Sequence, residues 1–292
     1  MAIKSIYTFF VALIVFMAGT DAVLAQPKWT RSEPEIEINL RLFHSTKIIG
    51  LPTAEALSKG DFEVEISHRF SPPISDGYES FYGFDGPAKM RIAVGYAAFE
   101  DLMFMIGRSN IDDNTDFHIK YRLLHPKKED FPVLASLQGG IAWNAVETFR
   151  PDSLGNMIVR PKNHDRHFQY FARLNIDFRP IKNFVIGLVP SYLYNNDIRS
   201  IDIKHTFSLG TIYQYYINKR WSLIGEWSFI LSDKYKRHNP GGVGIELETG
   251  AHIFEIFVTN QLRINPSQSI AGSEYPFDGE NLRIGFFINR VL

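Results

Sequence analysis

The chain has 292 residues, 31 Lys plus Arg against 32 Asp plus Glu, 14% aromatic residues and no cysteine. That length holds one large all-β unit or two ordinary domains. The balanced charge excludes a general nucleic-acid footprint, and the missing thiols exclude a disulfide framework or a thiolate metal site.

At the N-terminus, Lys4 precedes an apolar run from Ile6 to Ala18, and Val23-Leu24-Ala25 offers a cleavage site before Gln26. This pattern predicts a secretory signal peptide over residues 1–25, cleaved near Ala25. The run falls short of the ~18 apolar residues of a spanning helix. Residues 26–60 form a separate N-terminal stretch, with a short strand at Ile36–Leu40 and an irregular approach at Pro52–Gly60. It is expected to lie in the periplasm as an arm or to fold into a lumen as a plug.

From residue 61 to 292 apolar and polar residues alternate in segments of about ten. In Asp61–Phe70, Phe62, Val64, Ile66 and Phe70 oppose Glu63, Glu65, Ser67 and Arg69. In Asp116–Leu123, Phe117, Ile119, Tyr121 and Leu123 oppose Asp116, His118, Lys120 and Arg122. In Arg166–Phe178, Phe168, Tyr170, Ala172, Leu174, Ile176 and Phe178 oppose His167, Gln169, Phe171, Arg173, Asn175 and Asp177. Successive β side chains point to opposite faces, so each such segment has one oily and one wet side. Further strands are predicted at Lys89–Ala97, Leu102–Ser109, Val133–Ala145, Asn183–Tyr194, His205–Tyr216, Trp221–Leu231, Gly242–Thr249, His252–Asn260 and Leu282–Arg290, twelve in all.

The links alternate as well. Phe99–Asp101, His125–Asp130, Arg179–Lys182, Ile217–Arg220 and Gly250–Ala251 are short, and those between are mostly long. A soluble sandwich would bury the oily faces, whereas a membrane barrel would show them to lipid. The export signal, the link parity and strands long enough to cross at ~9–11 residues favour the barrel. The expected fold is therefore an all-β transmembrane antiparallel up-and-down barrel of about twelve strands, with short periplasmic turns and longer extracellular loops, in the outer membrane.

Phe43-His-Ser-Thr-Lys-Ile-Ile-Gly-Leu-Pro-Thr53, Lys59-Gly-Asp-Phe-Glu-Val-Glu-Ile-Ser-His-Arg-Phe70, Tyr82-Gly-Phe-Asp-Gly86 and Ile284-Gly-Phe-Phe-Ile-Asn-Arg290 carry a specific resemblance. The chain, from about Leu42 onward, resembles a family of Gram-negative envelope proteins described only as a membrane-bound β-barrel domain of unknown function. The resemblance implies an outer-membrane barrel and brings no catalytic residues. Outer-membrane lipid and the barrel-insertion machinery are the implied partners, although Leu292 replaces the usual terminal aromatic.

If the wet faces line a lumen, Lys89, Arg91, Lys120, Arg122 and Arg173 form a basic wall opposite an acidic one of Glu226, Glu246, Glu248 and Glu255. Charges in a narrow bore interact more strongly than on a surface. They could filter small solutes at a constriction, or close the lumen with ion pairs. The expected function is a narrow small-solute channel or uptake barrel without cofactor, metal or catalytic residues. The alternatives are a docking barrel that binds a protein partner of unknown identity through loops or N-terminal arm, and a rim hydrolase. The hydrolase would use His164 with Asp165 or Asp152 as base and orienter, or His164 and His167 at a metal. Gly77, Gly83 and Gly86 beside Asp76 and Asp85 read as turn residues before a cation grip. Tyr192, Tyr194, Tyr213, Tyr215, Trp221 and Trp227 read as membrane-interface aromatics.

Overall fold

The computed structural model describes residues 41–124, 132–232 and 237–292. The predicted signal peptide, the strand at Ile36–Leu40 and the turn at His125–Asp130 lie outside the described residues.

Two short strands, β1 (Lys47–Ile48) and β2 (Leu51–Pro52), form a hairpin of their own. Twelve more close into one barrel. They are β3 (Phe62–Phe70), β4 (Ala88–Phe99), β5 (Leu102–Ser109), β6 (Asn114–Leu124), β7 (Val133–Asn144), β10 (Phe168–Ile181), β11 (Phe184–Tyr194), β12 (His205–Tyr216), β13 (Trp221–Ile230), β14 (Gly241–Glu248), β15 (His252–Thr259) and β16 (Arg283–Val291). Barrel neighbours are antiparallel, and β16 closes the seam on β3 with Ile288 opposite Ile66. Closure leaves no unpaired edge, which a backbone in lipid requires.

Alternation decides which side is inside. Glu63, Glu65, Ser67 and Arg69 are buried, as are Asp116, His118, Lys120 and Arg122, while Phe62, Phe117, Ile119 and Tyr121 are exposed. The oily faces therefore form the outer wall. Among the described residues no helix is long and apolar enough to cross a membrane.

The strand limits fall close to the expected ones, with one informative difference. β10 runs through the expected turn at Arg179 to Ile181, and its pairing with β11 slips between Phe178 and Ile181. Pro180 has no N–H for the ladder, and a bulge accommodates that loss. The long links carry structure that alternation does not encode. Residues 145–167 hold the hairpin β8 (Phe149–Pro151) and β9 (Met157–Val159), and residues 260–282 hold a short helix, α1 (Pro266–Ile270).

Residues 41–57 run inside the barrel. The segment meets the wall near the short turns, where Arg179 Nη2 donates to Arg41 O, and leaves there, where Gly60 N donates to Ala97 O. Leu42, Phe43, Ile48, Ile49, Leu51 and Ala54 are buried against inward-facing Leu134, Val185, Val189, Ile212, Ile224, Phe257 and Phe287. Burying each large apolar side chain contributes about 1.5–3 kcal/mol. Part of the inner wall is thus apolar and filled.

Candidate functional site

Many of the buried charges among the described residues converge on the lumen. On β3, β4 and β6 the inward positions make a linked set. Arg91 engages Asp116 through two nitrogens, at 3.0 and 2.7 Å, and reaches Glu65 Oε2 at 3.1 Å. The fork of the guanidinium matches a carboxylate. Gly107 makes room for it, because a Cβ there would lie 2.2 Å from Arg91 Nη2. Lys47 of the hairpin joins from inside, with Nζ 2.7 Å from Glu65 Oε2 and 3.1 Å from Ser67 Oγ.

The other lumen charges hold the backbone of the inserted segment. Lys120 Nζ donates to three carbonyls, those of Thr46 at 3.0, Thr53 at 3.1 and Glu55 at 3.0 Å. Glu226 accepts the N–H groups of Gly50 at 2.8 and Leu51 at 2.9 Å. Glu255 accepts that of Ile49 at 2.8 Å, and Asp177 that of Ala54 at 2.6 Å. Arg69 donates to Ile49 O at 3.0 Å. Ile49 sits at φ 53 at the hairpin tip, a region that costs a β-branched residue about 1–3 kcal/mol. Its N–H and carbonyl are both held by the wall, and its side chain is fully buried.

Glu55, within the segment, accepts the N–H groups of Leu42 and Phe43. Burial pushes its carboxyl above the ordinary 4.5, against the pull of those N–H groups and of Arg41.

From the other end, residues 261–273 turn inward. Arg173 Nη2 donates to Pro266 O at 2.5 and to Ser269 Oγ at 2.9 Å. Gln268 Nε2 donates to Asp112 Oδ2 and Asn144 Oδ1, both at 3.0 Å, and Ile270 packs on Phe171 and Leu193. Asp112 also takes Arg199 at 2.5 and Arg263 at 3.3 Å, while Glu274 takes Arg263 at 2.5 and Arg237 at 3.2 Å. Burial alone would raise the Asp112 carboxyl, but the hydrogen bond and charge of Arg199, with Arg263, hold it below its ordinary 3.8. Glu274 is likewise lowered from 4.5, burial being outweighed by Arg263 and Arg237.

The nine charges expected at a constriction are distributed as follows. Lys120, Glu226 and Glu255 bond to the inserted segment; Arg91 pairs within the wall; Arg173 bonds to the loop around α1. Glu246 lies opposite Glu255 and engages His44 Nδ1 at 2.8 Å and Gln214 at 2.5 Å. Arg122 pairs with Asp101 at 2.6 Å at the short-turn end. Glu248 is half-buried at that end and accepts Gly250 N at 2.6 Å. Lys89 is half-buried and lines a vestibule of about 460 Å³ beside Asp112 and Arg199. The basic and acidic walls do not face each other across water, because residues 41–57 lie between them.

Sequence reasoning had placed Glu63, Glu65, Arg69, Asp116 and Asp177 on wet faces without choosing them as site residues. Lys47 and Glu55 carry no periodic signal. The rim cluster separates. His164 Nδ1 is 2.6 Å from the exposed Asp165, whereas His167 is buried and bonded to Asn144 O at 2.7 and Thr148 Oγ1 at 3.2 Å. Asp152 is committed to the amides of Leu154 and Asn156, both at 2.8 Å. Among the described residues no group of three or more His, Asp or Glu is arranged to hold a metal. Gly77 and Gly83 have φ of 63 and 97, as turns demand. Tyr213, Tyr215 and Trp221 are exposed on the outer wall.

A family described as a membrane bound beta barrel domain (DUF5777) matches residues 43–292. No curated protein matches the chain. Among solved structures, the NanC porin is 10% identical with a TM-score of 0.45, covering 79% of this chain and 98% of its own. The KdgM porin is 8% identical with a TM-score of 0.46 and the same coverage. The COG4313 outer membrane channel from Pseudomonas putida F1 is 12% identical with a TM-score of 0.45, covering 82% and 98%. These likenesses concern the barrel alone.

Proposed function

The chain belongs to the family of membrane bound beta barrel domains (DUF5777), and from that premise we propose that it is an outer-membrane small-solute channel or uptake barrel held shut by its own residues 41–57. One observation carries the reading. The segment is fastened to the lumen by hydrogen bonds to side chains, such as those of Glu226 and Glu255, and not by a place in the barrel ladder. It can therefore leave while every wall strand stays paired. Once it has left, the freed carboxylates and Lys120 would line a charged bore that sorts solutes by charge.

Planar-bilayer conductance of the native chain and of a Glu226→Gln, Glu255→Gln variant tests this. The native chain should stay closed with rare openings, and the variant should conduct. A variant that keeps its barrel by circular dichroism and yet passes no current would favour the second reading, a docking barrel whose filled lumen only gives rigidity.

A further inference from the structure

We propose that the lumen binds one small inorganic anion, of chloride or bromide size, between the inserted hairpin and α1. A cavity of about 30 Å³ lies there, lined by Lys47, Glu65, Arg91, His118, Lys120 and Arg173 among others. One water needs about 10–15 Å³, so the space suits a single monatomic anion or two waters.

The charges around it are unevenly satisfied. Lys47 and Arg91 share Glu65, and Arg91 also holds Asp116. Among the described residues, Lys120 and Arg173 have no carboxylate in contact. Lys120 gives its N–H groups to three carbonyls, and Arg173 bonds to Pro266 O and Ser269 Oγ. Both side chains are 2% exposed. Arg173 Nε is buried without an acceptor. His118 Nδ1 is also buried and lies 3.4 Å from Asp116 Oδ1 without the alignment of a hydrogen bond.

Farther carboxylates act on Lys120, and each is already engaged. Glu63 accepts from Thr46 Oγ1 and Asn289, Asp177 from Ala54, and Glu55 from Leu42 and Phe43. Glu226, which faces Arg173, takes Gly50 and Leu51. A buried cation lacking a contacting anion is costly, and a cavity edged by spare N–H donors recruits one. An anion accepts from Arg173 Nε, and from His118 Nδ1 when that nitrogen carries the proton, whereas water brings two protons that need acceptors. Gln138 also lines the cavity, with Oε1 unpartnered, and a half-turn of its amide presents N–H groups instead.

The inference concerns the closed lumen and holds whether or not the barrel ever conducts. The full chain in detergent is unfolded thermally in sodium bromide, chloride or gluconate at equal ionic strength. Crystals grown in bromide are measured for anomalous bromine scattering. The midpoint should rise with bromide or chloride concentration and stay flat in gluconate, as a ligand of the folded state requires. Arg173→Gln should abolish that halide dependence, and Arg122→Gln, whose native side chain pairs with Asp101 instead, should retain it. A bromine peak should stand within hydrogen-bond reach of Arg173 Nε. Equal midpoints in the three salts, or a cavity holding water and no bromine, would overturn the proposal. Should Arg173→Gln fail to fold, the bromine peak in the native chain decides.

Discussion

Replacing Lys120 by Met isolates the attachment of the inserted segment from the stability of the wall. Lys120 lies on β6, and its ammonium satisfies the carbonyls of Thr46, Thr53 and Glu55. Its removal relieves the cost of burying an ion but leaves three carbonyls without that donor. A buried unsatisfied group costs ~1–3 kcal/mol, so the low end for each gives about 3 kcal/mol against the inserted state. That is roughly a 100-fold rise in the population of the withdrawn segment. Hydrogen exchange in nanodiscs reads it directly, at the amides of Ile49, Gly50, Leu51 and Ala54, which donate to wall carboxylates. Their protection should fall about 100-fold, by the same conversion, with the ladder amides of β10 and β11 unchanged. Unaltered protection at those four amides would refute the reasoning. So would an equal loss across the strands, which would make Lys120 a part of the wall's own stability.

Phe43→Ala removes a fully buried ring from the same segment, and truncations of this kind cost about 3–5 kcal/mol. Protection of residues 42–55 should collapse while the barrel's thermal midpoint holds, and a matching drop in that midpoint would count against separability. The loop around α1 should respond to acid. Asp112 and Glu274 titrate below their ordinary 3.8 and 4.5, so their contribution is complete above those values and lost as pH falls through the lowered ones. Limited proteolysis within residues 262–273 should therefore accelerate in acid, sooner in Asp112→Asn, and cutting that ignores pH would contradict a role for these ion pairs in holding the loop.

The wall was legible because its signal is periodic. Every second residue of Asp116–Leu123 or Arg166–Phe178 meets one medium, and the membrane makes that contrast strong. For residues 26–60 two places stayed open, a periplasmic arm or a plug, since many wall partners of residues 41–57 lie more than a hundred positions away and no local pattern encodes such pairings. Ile49 and Glu255 are 206 residues apart. One hint was present all the same. On β11 the inward residues include Val185, Val189 and Leu193, all fully buried, so this strand is oily on both sides. A water-filled bore has no use for such residues, whereas a bore that receives Leu51 and Ile270 does. The expected constriction assumed two walls facing across a gap, and Lys120, Glu226 and Glu255 instead grip the backbone of the inserted segment.

The hairpin precedes β3 in the chain, and β3 is the strand that pairs with β16, the last strand in sequence, to complete the ring. The earliest described portion of the polypeptide thus ends up enclosed by the latest. Either it waits in place while the wall is drawn around it, or it threads back through the mouth after the seam has sealed. The tether from Leu57 to Phe62 is short enough to keep it beside that seam throughout. The place of this hairpin therefore bears on the order of assembly as well as on the gating proposed above.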